Sequence, residues 1–444
     1  MFINVFSIAP RRVLVYGLLI AFASCNAVSY ADADARMQSP LQSDREDVSD
    51  DAKPIALKQA LALVLRYNSE LSAFSREVRA TEAAKLQAET LPNPELSASF
   101  EEVGKATRST SLQLSQLIEL GGKRAARIRA AGLGRDAANA EYEAKRLELL
   151  TRAVQAFIDV LAGQRRLQLA SQAVELAAQA ADAVGKRVIA GKVSPVEETK
   201  AKLAAGAARI EAEQAARELA SARKRLSAMW GNPVPRFTEA LGDLELLVQI
   251  PAFEQLAQRA RDNPELARAA AEVGRREALL DGERAKRIPD FTLGAGVKRI
   301  QESRENLPLF TLSMPIPLFD RNQGNMQEAL HRLGKARDES ASAVTRLQAE
   351  LGQTYERLMA VEMEIKTLRE ELLPGAKSAF DAATKGYQLG KFGFLDALDA
   401  QRTLFQSNQQ YVRALAEYHR TIADIERLVG GPLNSGRANV MNPY

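Results

Sequence analysis

Two carboxylates near the end of the chain have a spacing that lets them act together. Asp396 and Asp399 stand three residues apart, so on a helix both side chains lie on the same face. Paired acids on one face attract cations and repel anions. The alternative is that two acids near the start of a helix only complement the helix dipole. The spacing predicts an acidic patch and leaves both roles open.

Residue patterns typical of an enzyme are absent from the sequence. The two histidines, His331 and His419, lie far apart in helical stretches, no serine is flanked by glycines, and there is no phosphate-binding loop. Residues 132–134, Gly-Leu-Gly, follow no strand, so they do not indicate a dinucleotide loop. We expect no catalytic residue and no cofactor. We interpret His419, beside Tyr418 and Arg420, as a residue on the surface of a helix.

A bound structural or catalytic metal is also not expected. The chain has a single cysteine, Cys25, its two histidines lack the H-x-x-x-H spacing, and its eight methionines are scattered. Thiolate, imidazole and thioether ligands must cluster on one face to hold a metal. The sequence therefore predicts no metal-ligating set.

Composition favours long helices over several globular domains. Hydrophobic residues make up 46% of the 444 residues, charged residues 26% and aromatic residues only 6%, and the Ala- and Gln-rich stretches are periodic. Sixty basic and 56 acidic residues are interleaved and give a net charge of +4. Nucleic-acid binding needs basic residues gathered on one face, so no nucleic-acid partner is expected.

The N-terminus resembles an export signal. Arg11 and Arg12 precede an apolar run over residues 13–23. This run is too short to span a membrane, and basic residues before a short apolar run are typical of a signal peptide. The sequence therefore predicts export.

Two cleavage sites for that signal compete. Residues 29–31, Ser-Tyr-Ala, predict a signal peptide of residues 1–31. Cys25 ends the apolar run in an Ala-Ser-Cys sequence, which instead predicts a lipoprotein with a signal of residues 1–24 and lipidation at Cys25. Residues 32–54 are polar and aperiodic and are predicted to form an extended linker.

The remainder of the chain repeats itself once. Five groups of residues recur in the same order, with an offset that drifts by only four positions. They are Asn68-Ser69-Glu70-Leu71 with Asn263-Pro264-Glu265-Leu266, Leu91-Pro92-Asn93 with Ile288-Pro289-Asp290, Ser115, Ile118, Leu120 and Lys123 with Ser313, Ile316, Leu318 and Arg321, Gly191-Lys192 with Gly390-Lys391, and Gly231 with Gly430. We infer a first copy over residues 55–250, a second over residues 251–432 and a tail over residues 433–444.

Each copy contains helices, two short strands and a long helical hairpin. Alternating apolar residues predict strands at about 93–103, 109–119, 290–300 and 307–317. Steps of three and four between apolar residues predict coiled coils over 122–230 and 322–430. Residues 123–190 contain no proline and at 1.5 Å per residue would span roughly 100 Å. In the second copy Pro374 is expected to interrupt the helix.

The four strands raise the question of how their edges are closed. Each has the length of an outer-membrane strand, and lipid tolerates only closed sheets. Four strands cannot close a barrel around a pore, so several protomers would have to contribute, and three would supply twelve strands. The alternative is that the hairpins are soluble and cap a helical bundle.

Three motifs carry a resemblance to a known family. They are Ile118-Glu119-Leu120-Gly121-Gly122-Lys123-Arg124, the sequence Ile316-Pro317-Leu318-Phe319-Asp320-Arg321-Asn322-Gln323-Gly324, and Gly386-Tyr387-Gln388-Leu389-Gly390-Lys391 followed by Leu395-Asp396-Ala397-Leu398-Asp399-Ala400. In this order they resemble the TolC-type outer-membrane efflux family over residues 55–430. The Gly-Gly-Lys-Arg form is most similar to the heavy-metal branch of that family, the CzcC- and CusC-like proteins.

The resemblance implies a mainly α-helical fold with a β-barrel portion. A homotrimer would form a 12-stranded barrel in the outer membrane, continued by a 12-helix periplasmic tunnel. A periplasmic adaptor would dock on the tips and join the channel to an inner-membrane pump of the resistance-nodulation-division type. The implied function is export of heavy-metal cations of the cobalt, zinc, cadmium and nickel class. The alternatives are a multidrug channel and a periplasmic coiled-coil scaffold.

The resemblance also assigns roles to residues at the tips. Asp396 and Asp399 match an acidic pair that narrows the channel entrance, and threefold symmetry would turn each into a ring of three. The adaptor-docking turns would be Gly191-Lys192 and Gly390-Lys391-Phe392. Phe392 departs from TolC, which has an arginine at this position that helps lock the entrance. A contact between Phe392 and Phe394 is expected to replace that lock.

Overall fold

The computed structural model describes residues 53–101 and 108–433, all within one compact unit that begins at residue 52. The signal peptide of residues 1–31, the candidate lipidation site Cys25, nearly all of the linker and residues 434–444 lie outside the described residues. Among the described residues, no helix is both long and apolar enough to cross a bilayer.

Two helices open the first copy. After the short strand β1 (Ile55–Ala56), helix α1 covers Leu57–Tyr67 and helix α2 covers Ser69–Glu89. Helix α1 is strongly amphipathic and buries Ala60, Leu61 and Val64.

The strands and the long hairpin of the first copy follow. Strand β2 covers Glu95–Glu101 and β3 covers Ser109–Ile118. Helix α3 then runs without interruption over Lys123–Ile189, and α4 returns over Pro195–Ala228. Helix α3 has 67 residues, which corresponds to about 100 Å.

The second copy follows a short strand that lies near the end of the first. Strand β4 (Ala240–Leu241) pairs in parallel with β1. Helix α5 covers Phe253–Arg259, a 3₁₀ turn covers Ala260–Asp262, and α6 covers Pro264–Ala285. Strand β5 covers Phe291–Ile300 and β6 covers Asn306–Ser313.

The second long hairpin differs from the first by one irregularity. Helix α7 covers Gln323–Thr367, a π-helical turn covers Leu368–Leu372, α8 covers Leu373–Gln388, and α9 covers Phe394–Leu428. Pro374 lies in the first turn of α8, so the α-helix is interrupted directly before it, but the π turn keeps the chain helical across the interruption.

The four long strands form one antiparallel sheet in the order β2-β3-β5-β6. Three strands lie within two residues of their predicted limits. The fourth ends at Ser313, short of the expected residue 317. Pro315 and Pro317 follow it, and proline has no N–H with which to extend a strand ladder.

An asparagine repeats the same structural task in each copy. Asn68 accepts a hydrogen bond from the Leu71 amide at 2.9 Å, while its Nδ2 donates to the Met229 carbonyl at 2.8 Å. Asn263 caps α6 in the same way and donates to the Leu428 carbonyl at 2.9 Å. Each asparagine therefore starts one helix and satisfies a carbonyl at the end of another.

Helix α9 joins the two hydrophobic cores. One core lies between α1, α3 and α4 and includes Leu61, Phe157 and Leu226. The other lies between α5, α7 and α9 and includes Leu358 and Ile422. Since α9 contributes residues to both clusters, the two copies fold as one body.

The interpretation of His419 as a surface residue is wrong. Its side chain is 5% exposed, and its Nε2 lies 2.9 Å from the Leu244 carbonyl. The neighbouring Tyr418 hydroxyl donates to the Val248 carbonyl at 2.7 Å. Both aromatic residues bind the segment that links the copies, which crosses over α9.

Candidate functional site

One face of the sheet is largely apolar and is exposed in the protomer. Register places Leu96 opposite Leu114, and Ala98 opposite Leu112, and opposing residues of a sheet share a face. The large apolar side chains on this face are Leu96, Phe100, Leu112, Leu114, Leu293, Val297, Phe310 and Leu312, which are 45–81% exposed. An accessible apolar face of this size, spread over four strands, fits a lipid surface.

The other face of the same sheet is polar. The Ser99 and Ser111 hydroxyls lie 2.6 Å apart, Gln113 donates to Thr311, and the Lys298 ammonium lies 2.8 Å from a Glu101 carboxylate oxygen. A polar face opposite an apolar one is the pattern of a strand that separates lipid from water.

Glycine provides room on the polar face. A Cβ at Gly296 would lie 2.3 Å from the Leu112 carbonyl oxygen, and one at Gly294 would lie 2.1 Å from the Gln113 amide. Side chains are therefore crowded on this side of the sheet. Crowding relieved by glycine is typical of the concave side of a curved sheet.

The strands join the long helices through a paired-glycine turn. Gly121 and Gly122 both have left-handed φ values, +70° and +76°, and the turn redirects the chain from β3 into α3. A Cβ at Gly121 would lie 2.8 Å from the Ala285 carbonyl oxygen. Only glycine combines this backbone conformation with this close approach.

Charged side chains tie this junction together. The Lys123 ammonium lies 2.7 Å from Asp290, which also accepts a hydrogen bond from the Leu120 amide at 2.8 Å. Burial opposes ionisation of Asp290, but these hydrogen bonds outweigh it and lower its pKa. Glu119 pairs with Arg127 at 2.6 Å. These contacts fix the angle between the sheet and the helices.

The far end of the first hairpin is a tight glycine turn. Gly191 has a φ of +68°, and Ser194 caps α4 by accepting a hydrogen bond from the Val196 amide at 3.3 Å. Lys192 is exposed and forms no ion pair within the described part of the chain. Its ammonium group therefore points to solvent at the end of the protomer.

The second hairpin ends in a similar turn with an aromatic ring on it. Gly390 has a φ of +72°, and Lys391 is exposed. The Phe392 ring lies directly over Gly386, where a Cβ would meet it at 2.1 Å. Phe394 packs instead edge-to-face against Tyr387, with ring centroids 5.7 Å apart. The structure thus gives the two phenylalanines different partners within the tip.

The two acids after this turn are both exposed but differ in their contacts. The Asp396 carboxylate accepts a hydrogen bond from the Gly393 amide at 2.9 Å and closes the first turn of α9. The Asp399 carboxylate forms no hydrogen bond or ion pair within residues 53–101 and 108–433. Capping is therefore an observed role of Asp396, whereas the Asp399 carboxylate is left accessible to solvent.

A contact between the two tips was not predicted from the sequence. The Arg187 guanidinium lies 4.6 Å from the centre of the Tyr387 ring and donates to the Tyr387 carbonyl at 3.2 Å. Val184, Ala201 and Phe394 form a small apolar cluster beside it. The sequence feature that could have predicted this contact is the matching position of the two tip turns in the two copies, because it places the last turns of the two hairpins side by side.

No group of three or more metal-ligating side chains comes together within the part of the chain that the structure describes. The protomer therefore offers two kinds of functional surface: a two-faced sheet at one end and a pair of helical tips, with exposed lysines and acids, at the other.

Comparison with known proteins places this architecture in a family. The sequence profile described as "Outer membrane efflux protein" matches residues 60–232 and 256–431, more than three quarters of the chain. The chain belongs to this outer membrane efflux family. Its two matched segments correspond to the two proposed copies. The apolar face of the sheet therefore meets the lipid of the outer membrane, and the helices extend into the periplasm.

Relatives of this efflux-family chain include metal-resistance proteins. The cobalt-zinc-cadmium resistance protein CzcC of Cupriavidus metallidurans is 39% identical over 95% of this chain and 99% of its own length. The nickel and cobalt resistance protein CnrC of the same organism is 28% identical over 64% of this chain and 68% of its own. The nickel-cobalt-cadmium resistance protein NccC of Alcaligenes xylosoxydans is 28% identical over 64% of each chain.

Solved structures share the fold. The chain aligns with CusC with a TM-score of 0.74 and 20% identity, covering 84% of this chain and 92% of that one. It aligns with VceC of Vibrio cholerae with a TM-score of 0.73 and 18% identity, covering 85% and 97%. The prediction of a TolC-like fold, with long helices and a portion of a barrel, is confirmed. The protein is an efflux channel of the outer membrane.

Proposed function

We propose that this channel exports heavy-metal cations of the cobalt, zinc, cadmium and nickel class. The observation that carries the proposal is the 39% identity to a cobalt-zinc-cadmium resistance protein, which extends over nearly the full length of both chains. The exported ion is cargo, and the channel conducts it passively. Energy is supplied by an inner-membrane pump of the resistance-nodulation-division type.

The sheet supports assembly into a homotrimer. Among the described residues, its outer strands β2 and β6 each pair with one neighbour. An open edge in lipid leaves backbone groups without partners. Pairing β6 of one protomer with β2 of the next closes the sheet. Three protomers give a barrel of twelve strands, which lies within the range of strand numbers of outer-membrane barrels.

The helices carry a second surface suited to another protomer. Val196, Leu203 and Ile210 recur every seven residues on α4 and are 59–69% exposed. The buried Ala201 and Ala205 face the protomer's own hairpin on the other side of the same helix. A stripe with a period of seven is typical of a seam between helices, and three protomers would continue the tunnel with twelve helices.

The tips are the proposed docking site for a periplasmic adaptor. Lys192 and Lys391 are exposed at the ends of the two hairpins, where they can pair with acidic groups of a partner. Gly191, Gly390 and Phe392 shape the turns that present them. This position, farthest from the membrane strands along both hairpins, is where a protein that links the two membranes must bind.

Asp396 and Asp399 are the proposed channel entrance. Both are exposed near the tip, and in a trimer each would form a ring of three carboxylates. Such rings favour cations over anions. Asp399 is the stronger candidate because its carboxylate forms no hydrogen bond or ion pair within the described chain, whereas Asp396 caps α9.

We further propose the processing and division of the chain that the sequence predicts. Export uses a signal of residues 1–31, or of residues 1–24 with lipidation at Cys25. The two copies then extend over residues 55–250 and 251–432. Mass spectrometry of the mature N-terminus distinguishes the signals, because only the second leaves an acylated cysteine.

The function is tested by deleting the gene and measuring tolerance to cobalt, zinc, cadmium, nickel, copper and silver beside a panel of dyes and antibiotics. We expect sensitivity to several divalent metals, rescue by the wild-type gene and unchanged tolerance to the drugs. A variant with an early stop codon is the control for expression from the plasmid. Sensitivity to drugs with normal metal tolerance would overturn the substrate class and favour a multidrug channel.

A further inference from the structure

The two long helices that lead to the tips are not equivalent. Helix α3 is continuously α-helical from Lys123 to Ile189, whereas the matching helix of the second copy contains the π turn Leu368–Leu372 between α7 and α8. A π turn accommodates one more residue than an α-helical turn. The second copy therefore contains a local irregularity where the first has none.

Buried positions show that the π turn holds one extra residue. On the N-terminal side of the turn, towards the sheet, buried residues of the two copies correspond at an offset of 198 positions. The pairs are Leu149 and Leu347, Ala153 and Leu351, Val160 and Leu358, Gly163 and Val361, and Ala170 and Leu368. On the C-terminal side, towards the tip, buried residues correspond at an offset of 199 positions: Ala177 and Ala376, and Val184 and Ala383. The offset changes within the π turn, so the inward faces above and below it both keep their register.

The turn is also weakly held within the protomer. Residues 369–372 are all exposed, so no side chain is buried between Leu368 and Ala376. In the first copy Ala173 is buried in the corresponding stretch. Pro374 has no N–H to donate back to the preceding turn. Local structure with few buried contacts and missing backbone hydrogen bonds opens at low free-energy cost.

The partner helix is loosely packed at the same level. Nearly all buried residues of helix α9 lie from Tyr411 onwards, and between Leu395 and Gln410 it has none. The Gln410 amide donates to Glu364 at 2.8 Å, just above the π turn. An open groove of about 570 Å³ lies beside this bond. On the tip side of this bond α9 has no buried residue until Phe394, and the facing α8 buries only the small residues Ala376, Ala383 and Gly386.

We infer that the π turn Leu368–Leu372 is a one-residue insertion that serves as a flexure point. The tip half of the second hairpin, which carries Asp396 and Asp399, bends there relative to the upper helices. The first hairpin, built on the uninterrupted α3, moves as a rigid rod. The two tips of one protomer therefore differ in stiffness.

The first test removes the extra residue. Deletion of Glu371 combined with Pro374→Ala restores an offset of 198 throughout and is expected to leave the amount of heat-resistant trimer unchanged. The matched control deletes Glu175 from α3. That deletion rotates everything below it by about 100°, turns Ala177 and Val184 away from the core, and is expected to abolish the trimer. Equal loss of trimer in both variants would contradict the inference that the π turn contains one inserted residue.

The second test measures flexibility in the unmodified full-length protein. Hydrogen exchange of backbone amides over residues 369–376 is expected to be about tenfold faster than over residues 170–177. In the variant lacking Glu371, exchange over the joined helix should slow to the level of the first copy. Equal exchange in the two copies of the wild-type protein would overturn the flexure point. Neither measurement depends on which substrate is exported, so failure here leaves the proposed function untouched.

Discussion

Two acidic residues at the tip differ in their structural roles, although both belong to the proposed channel entrance. Asp396 accepts a backbone hydrogen bond and Asp399 does not, although both carry the same charge on the same face of α9. The spacing predicted the shared face. It could not distinguish the two acids, because the distinction depends on the backbone of Gly393, which turns its amide towards only one of them.

Replacing each acid with alanine should separate these roles. We expect Asp396→Ala and Asp399→Ala both to lower the ratio of cation to anion permeability of the purified channel in planar bilayers. Only Asp396→Ala should speed amide exchange in the first turn of α9, by about fivefold, because a lost cap costs about 1 kcal/mol. Unchanged permeability in both variants would contradict the proposed entrance.

The raised pKa of Asp424 predicts how the stability of the folded protein depends on pH. Burial raises its pKa above the ordinary value of 3.8, and Arg427 and the Gln155 amide offset this only partly. The folded state therefore binds a proton more readily than the unfolded chain. Stability should rise as the pH falls through the raised pKa and should gain nothing further from this group below 3.8.

Asp424→Asn removes this ionisation while keeping an oxygen that can accept from Gln155. We expect it to raise the melting temperature at pH 7 and to make no difference well below pH 3.8, where Asp424 is protonated in both the folded and the unfolded chain; circular dichroism measures both. Asp399→Asn serves as the control because that carboxylate is exposed. A lower melting temperature for Asp424→Asn at pH 7 would contradict the assignment.

At the scale of elements, the two faces of the sheet should respond oppositely to the same substitution. Leu114 lies on the apolar face and Ser115 on the polar face, where its partner in register is Glu95. Leu114→Arg should destabilise the inserted barrel by about 2–4 kcal/mol, since it places a charge in lipid. Ser115→Arg should be tolerated, because Glu95 can pair with it. Heat-modifiable trimer on electrophoresis gives the comparison, and equal yields would contradict the assignment of the faces.

The paired-glycine turn offers a second matched comparison. Gly122→Ala meets no atom within 4 Å and carries only the cost of a left-handed φ, about 1–2 kcal/mol. Gly121→Ala carries the same cost and also pushes a Cβ against the Ala285 carbonyl. We therefore expect a clearly lower melting temperature for Gly121→Ala than for Gly122→Ala. The reverse order would show that the contact to α6 does not set the junction.

Elements with a local cause could be predicted, and elements with a distant cause could not. The strands follow from alternation and the long helices from their three-four steps, both of which reside in neighbouring residues. Pro374 predicted an interruption of the helix, but not that the interruption would be a π turn, which local rules do not anticipate. His419 was placed on the surface because nothing near it in sequence reveals the Leu244 carbonyl that covers it. The Arg187–Tyr387 contact likewise joins the two copies.

For the whole molecule, the stripe on α4 should decide assembly. Leu203→Glu places a charge in the middle of the proposed seam and is expected to yield folded, helical protomers that do not form trimers. Leu203→Met keeps an apolar side chain of similar size and should assemble normally. Light scattering of the detergent-purified protein measures the molar mass. A trimeric Leu203→Glu protein would place the seam elsewhere.

The central pairing of the sheet also determines when the protein can fold. Strand β3 pairs with β5, so that Ile118 lies beside Phe291 and the whole first hairpin intervenes between them along the chain. Contacts between residues so distant in sequence form slowly, and β5 leaves the ribosome long after β3. Until the second copy is available, the hairpin of β2 and β3 therefore lacks the β5–β6 hairpin that completes its sheet, and its apolar side is exposed to aggregation for that time.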